Sequence, residues 1–168
     1  AVPQVDEYTF TRVGSPYIAH EWLAQVFFAR AYGAGGVAAL DLIKFLLIGT
    51  TLWLIYSGIR RSAGGTGSAS GAAALVACWA ALLIATHLAI RPHLFSFALA
   101  ALFTSLLWSA RREEAGLSWG KIAALILMQV LWANVHGGFV TGILLGLIFA
   151  ASDLVRRGGR PARSTLLP

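Results

Sequence analysis

Trp132-Ala133-Asn134-Val135-His136-Gly137-Gly138 is a polar knot between two apolar runs, GKIAALILMQVLWA (residues 120 to 133) and GFVTGILLGLIFAAS (residues 138 to 152). Runs of this composition belong to membrane-buried helices, because a water-facing domain has no use for so much continuous apolar surface. The chain therefore turns back at a membrane boundary between them. The turn itself accounts for the Gly-Gly pair, since glycine ends helices cheaply and supplies positive φ. Asn134 and His136 need another reason, because a mere connection tolerates Ser or Lys there. Which side of the membrane they face, and what faces it with them, decides their meaning.

The rest of the chain agrees with a membrane protein. It is 58% apolar and only 12% charged, against roughly 25% charged in a soluble domain, and its mean hydropathy is +0.73. The net charge of +6 does not indicate a nucleic-acid partner, because the basic residues lie at the ends of apolar runs and act as topology signals. The one cysteine, Cys78, sits inside an apolar run and offers no disulfide framework. A start at Ala1 without Met or signal peptide, and a stop just after a basic loop, read as a fragment of a longer polytopic protein.

Residues 1 to 18, with Pro3, Gly14 and Pro16, suit an ordered loop. From His20 to Tyr32, Trp22, Leu23, Val26, Phe27 and Ala31 recur at helical spacing among Glu21, Gln25 and Arg30. That pattern predicts an interfacial amphipathic helix ended by Gly33 to Gly36. Spans are expected at about residues 37 to 57, 72 to 90 and 94 to 110, followed by the pair around Asn134 and His136. A flexible Gly/Ser/Ala loop is expected at 62 to 71. The expected fold is thus all-α: a polytopic transmembrane helical bundle of about five helices over residues 37–168, preceded at 1–36 by an extracytoplasmic loop and the interfacial helix.

Orientation follows from the basic residues. Arg60, Arg61, Arg111, Arg112, Lys121, Arg156, Arg157, Arg160 and Arg163 fall on one side when each span crosses once, leaving Arg12, Arg30 and Arg91 opposite and Lys44 within a span. The positive-inside rule places the larger group in the cytoplasm. His20-Glu21, Arg91-Pro92-His93 and Asn134-Val135-His136 then share the extracytoplasmic face.

These clusters supply carboxylates (Asp6, Glu7, Glu21), imidazoles (His20, His93, His136), the Arg91 guanidinium and the Asn134 carboxamide. A guanidinium at the hydrocarbon edge is costly without an anionic partner, and its planar fork suits phosphate; the alternative is an arginine snorkelling to lipid headgroups. His93 and His136 are either ligand groups or hydrogen-bonded helix caps, and His87 is expected to pack inside the bundle. Glu21 opens a helix whose dipole favours an acid, and at a membrane surface it can also act as general base toward an acceptor hydroxyl. Three histidines and the carboxylates can bind a divalent metal, yet no HxxxH or HExxH spacing appears, so no metal site or cofactor is assigned. No nucleotide-binding glycine loop and no Ser/His/Asp arrangement can be placed. Asp41 and Lys44, three residues apart, are expected to pair, and Gly138, Gly142 and Gly146 to form a close-packing helix face.

The succession of loop, His20-Glu21-Trp22-Leu23 helix, span, Arg91-Pro92-His93-Leu94-Phe95 turn and Trp132-Ala133-Asn134-Val135-His136-Gly137-Gly138-Phe139 resembles bacterial polytopic membrane proteins related to the GT-C glycosyltransferases. These include the protein O-mannosyltransferases and the lipid A aminoarabinose transferase type. The resemblance covers nearly the whole chain and implies a protein of the bacterial cytoplasmic membrane. Such a protein transfers a sugar with inversion from a polyprenyl-phosphate donor to an extracytoplasmic acceptor. It further implies Asp6-Glu7 as the family's acidic pair and His20-Glu21 in place of its His-Pro-Pro segment, with Glu21 or Asp6 as base. Arg91, His93, Asn134 and His136 would close the lipid-phosphate pocket, and His20 would lie beside it. The alternatives are a transporter or lipid flippase fragment, in which Asp41, Lys44 and His87 matter most, and a membrane subunit without chemistry, in which the polar turns diverge. One site requires the side chains of Glu21, Arg91, His93 and His136 to lie within about 10 Å of one another.

Overall fold

The computed structural model describes residues 4–7, 9–86, 89–112 and 117–158. Among the described residues five helices follow one another: α1 (Trp22–Ser62), α2 (Gly67–Ala85), α3 (His93–Arg112), α4 (Trp119–Val135) and α5 (Val140–Gly158), with a 3₁₀ turn at Gly137–Phe139 before the last. About 80% of the described residues are helical, and no strand forms among them. α1, α2, α3 and the stretch Gly137–Arg156 are long and apolar enough to cross a membrane, while α4 has only 17 residues. At 1.5 Å per residue α4 spans roughly 26 Å, a little less than the hydrocarbon thickness.

Burial is inverted relative to a water-soluble protein. Trp53, Trp79, Leu127 and Leu147 are each more than 60% exposed, a surface that only lipid or another apolar partner can cover. Inside, Trp132 and Leu94 are essentially inaccessible, and Phe103 and Leu107 close around the Trp132 ring from α3. α1 touches α2, α3 and α4, and α3 in turn touches α4 and α5. The first and third helices are thus the shared walls of the bundle.

α1 is two helical pieces. Gly35 (φ −153°, ψ 18°) and Gly36 (φ 59°, ψ −147°) leave helical geometry, and the second of these conformations is one that L side chains avoid. The expected break therefore falls at the last two of the four residues Gly33 to Gly36. The piece before the break lies against α3, where Phe27 and Phe28 place their rings 5.6 and 5.5 Å from that of Phe95.

Two boundaries differ from expectation for identifiable reasons. α2 begins at Gly67, inside the stretch expected as a loop, because the Thr66 hydroxyl caps it by accepting from the Ala69 amide at 3.3 Å. α4 runs on to Val135, so Asn134 belongs to its last turn, where its side-chain amide donates to the Val130 carbonyl at 2.8 Å. The polar turn is thus shorter than expected and starts at His136.

The helices alternate in direction, and the polar contacts sort onto two ends. At one end Arg112 donates to the Arg61 carbonyl at 2.6 Å, and Arg111 pairs with Asp153 at 2.8 Å. At the other lie the start of α1, the start of α3 and the α4–α5 turn. Of the three glycines expected to pack closely, Gly138 and Gly142 do, since an added Cβ would strike Ser96 and Gln129 respectively, whereas Gly146 faces open space.

Candidate functional site

The end opposite Arg61 and Arg112 brings together residues that the sequence scatters over more than a hundred positions. His136, where α4 stops, is extended (φ −161°, ψ 144°), and its Nδ1 accepts the Gly138 amide at 3.0 Å. This imidazole-to-backbone bond caps the 3₁₀ turn and orients the ring. A backbone N–H is an obligate donor, so Nδ1 carries no proton. The Ser96 hydroxyl, 2.7 Å from the same Nδ1, can therefore only donate to it. The Ser96 oxygen in turn accepts the indole N–H of Trp132 at 2.7 Å. Each direction follows from the last, giving Trp132 to Ser96 to His136.

The opposite ring nitrogen, Nε2, lies 3.4 Å from the Glu21 Oε1. That is long for a hydrogen bond. Both side chains are partly exposed, His136 at 26% and Glu21 at 33%. The start of α1 is held in place by its neighbour: the Trp22 indole donates to the Asn134 Oδ1 at 2.9 Å. A tryptophan at a membrane boundary needs one polar partner for its N–H, and Asn134 supplies it.

His93, at the start of α3, places its ring 6.4 Å from that of His136 and 5.6 Å from that of Phe97. Arg91 is exposed and lines, with Thr86, Ala89, His93 and Phe97, an open depression of about 530 Å³. A second, wholly apolar cleft of about 260 Å³ lies among α1, α3 and α4, with walls that include Leu23, Phe27, Phe95, Leu99 and Val135.

Glu21, His93, Asn134 and His136 are thus drawn into one cluster, with Arg91 sharing a depression with His93. His20 is exposed beside Glu21. Asp6 is engaged within the N-terminal loop, where its two carboxylate oxygens accept from the Thr9 amide at 3.0 Å and the Thr9 hydroxyl at 2.6 Å. Its backbone pairs with Ser15 and Gly14. Glu7 beside it is exposed. His87 lies outside the described residues. Asp41 and Lys44 form the expected ion pair at 2.6 Å. Among the described residues, no three His, Cys, Asp or Glu side chains gather as a metal site.

Sequence reasoning missed Ser96 and, though it placed Trp22 in the interfacial helix and Trp132 at the head of the polar knot, gave their indole N–H groups no partner. A serine in the first turn of an apolar helix carries no distinguishing signal. The two indoles did carry one, since a tryptophan N–H near a helix end demands an acceptor. Ser96, His136 and Glu21 also form the order of groups seen in a nucleophilic triad. Ser96 is not suited to attack, because the Trp132 N–H occupies its oxygen and Gly138 packs against it. No protein-family model, curated protein or solved structure matches the chain.

Proposed function

We propose that the chain is the membrane-embedded part of a GT-C-like inverting glycosyltransferase, which moves a sugar from a polyprenyl-phosphate donor to an extracytoplasmic acceptor. The observation that carries this reading is the Glu21 carboxylate 3.4 Å from the His136 ring, with Arg91 and His93 lining a depression at the same end and an apolar cleft walled by α1, α3 and α4. A lipid-linked sugar needs an apolar slot for its chain, N–H donors for its phosphate and a base for the incoming hydroxyl. All three chemistries are present in the bundle. By the positive-inside rule the end bearing Arg60, Arg61, Arg111 and Arg112 is cytoplasmic and the cluster extracytoplasmic, in the bacterial cytoplasmic membrane. The helical piece at 22–34 then lies at the interface.

In the proposed step Glu21 takes the proton of the acceptor hydroxyl as that oxygen bonds to the anomeric carbon. The bond from that carbon to the phosphate oxygen breaks, and its electron pair leaves with the phosphate. Arg91 donates to the phosphate through its fork and His93 through its ring N–H. Asn134 holds Trp22, and with it Glu21, against the end of α4. Asp6 or Glu7 is the other candidate for the base.

Binding of polyprenyl phosphate and of the matching polyprenol to the protein in nanodiscs tests this. The phosphate form is expected to bind at least about tenfold more tightly, and Arg91→Ala to remove that preference, a loss of about 1.4 kcal/mol. Equal binding of phosphate and alcohol, or an unchanged preference in the variant with its helices intact, contradicts the phosphate site.

A further inference from the structure

We infer that Ser96 and Trp132 are positioning residues: they lock the His136 imidazole as its Nε2–H tautomer, turned toward Glu21. The directions of the bonds carry the inference. The Gly138 amide and the Trp132 indole can only donate, at 3.0 and 2.7 Å. A proton on Nδ1 would face the Gly138 N–H head on, so the neutral ring's single proton is on Nε2. The Ser96 hydroxyl proton then has one place to go, the Nδ1 lone pair at 2.7 Å.

Three elements cooperate to set one atom. The Gly138 contact is local and by itself leaves the ring free to turn with its own short loop. Ser96 comes from α3 and Trp132 from the buried wall of α4, so their chain ties the ring to the core of the bundle. Gly138 must be glycine for this, since a Cβ there would sit 2.7 Å from the Ser96 oxygen and 2.8 Å from Nδ1. The consequence reassigns His136: its free nitrogen is a donor aimed at a carboxylate 3.4 Å away, not a base. With Nε2 nearest Oε1 at 3.4 Å, Oε2 is the oxygen left to a substrate hydroxyl.

The tautomer stands independently of the reaction, whereas its catalytic consequence rests on the reading of Glu21 as the base. The test is ¹⁵N NMR of histidine-labelled protein in nanodiscs, with His136→Gln to assign the signals. His136 is expected to show a pyrrole-type Nε2 and a hydrogen-bonded pyridine-type Nδ1. Ser96→Ala should move Nδ1 toward the value of an unbonded ring nitrogen, and Trp132→Phe should move it the same way by less, with helix content unchanged. A pyrrole-type Nδ1 in the wild-type protein, or a Nδ1 resonance that ignores Ser96→Ala, overturns the inference. In a sugar-transfer assay Ser96→Ala should lower kcat about tenfold at unchanged KM. The expected resonances without any transfer by the wild type would defeat the glycosyltransferase reading and leave the positioning intact; transfer with the wrong tautomer would do the reverse.

Discussion

At the scale of single residues, the cluster makes Glu21 and His136 different kinds of partner despite their proximity. Glu21→Gln keeps the shape and the acceptor oxygen but removes the carboxylate proposed as the base. It is expected to reduce transfer by about 10²- to 10⁴-fold while polyprenyl-phosphate binding persists; equal loss of binding would show a structural role instead. The serine beside them invites a nucleophilic reading that its surroundings oppose. A fluorophosphonate probe is expected to leave Ser96 unlabelled, and labelling abolished by Ser96→Ala would contradict the relay. Glycines separate packing from function at the same scale. Gly142→Ala pushes a methyl into Gln129 and to 3.0 Å from the Trp132 ring, whereas Gly146→Ala meets nothing. Overpacking of this kind costs typically 1–3 kcal/mol, so thermal unfolding in detergent should fall clearly for the first variant and hardly move for the second.

At the scale of elements, the break in α1 lets one continuous stretch do two jobs. The piece from Trp22 reaches α3 through Phe27 and Phe28 and α4 through Trp22, while the piece after Gly36 continues as a long apolar helix with the Asp41–Lys44 pair near its start. Gly36→Ala forces a side chain into a left-handed conformation, a strain of about 1–2 kcal/mol. The helix straightens or the Trp22–Asn134 bond is lost, and the distance between spin labels at the two ends of α1 should lengthen; an unchanged distance would mean that the break is not held by Gly36. The sequence announced this break, because three glycines and an alanine at 33–36 interrupt an amphipathic pattern. It also announced the spans, through the apolar runs and their arginine ends. It did not announce that Asn134 is helical, because a lone amide beside His-Gly-Gly reads as part of the turn until its bond to Val130 is visible. Ser96 was illegible for a stronger reason. Its value comes from a partner 40 residues away and another 36 away, and nothing in a local pattern records such distances.

At the scale of the whole molecule, two polar ends bracket an apolar bundle, and they differ in kind. One is pinned by arginines: Arg112 closes the end of α1 through the Arg61 carbonyl, and Arg111 joins α3 to α5 through Asp153 while its guanidinium stacks 4.6 Å from the Phe149 ring. Asp153→Asn should loosen α5 from α3 and lower thermal stability with little effect on ligand binding at the far end. The other end is partly exposed and carries imidazole and guanidinium donors with the Glu21 carboxylate. That separation of a pinned end from a chemically equipped one is what the glycosyltransferase reading explains and a purely structural subunit does not. The most direct measurement is consumption of polyprenyl-phosphate-linked sugars by membranes containing the wild-type protein or Glu21→Gln. The wild type is expected to strip the sugar from at least one such donor and the variant to leave it on the lipid. No consumption by the wild type, or equal consumption by both, would contradict a sugar transfer run by Glu21.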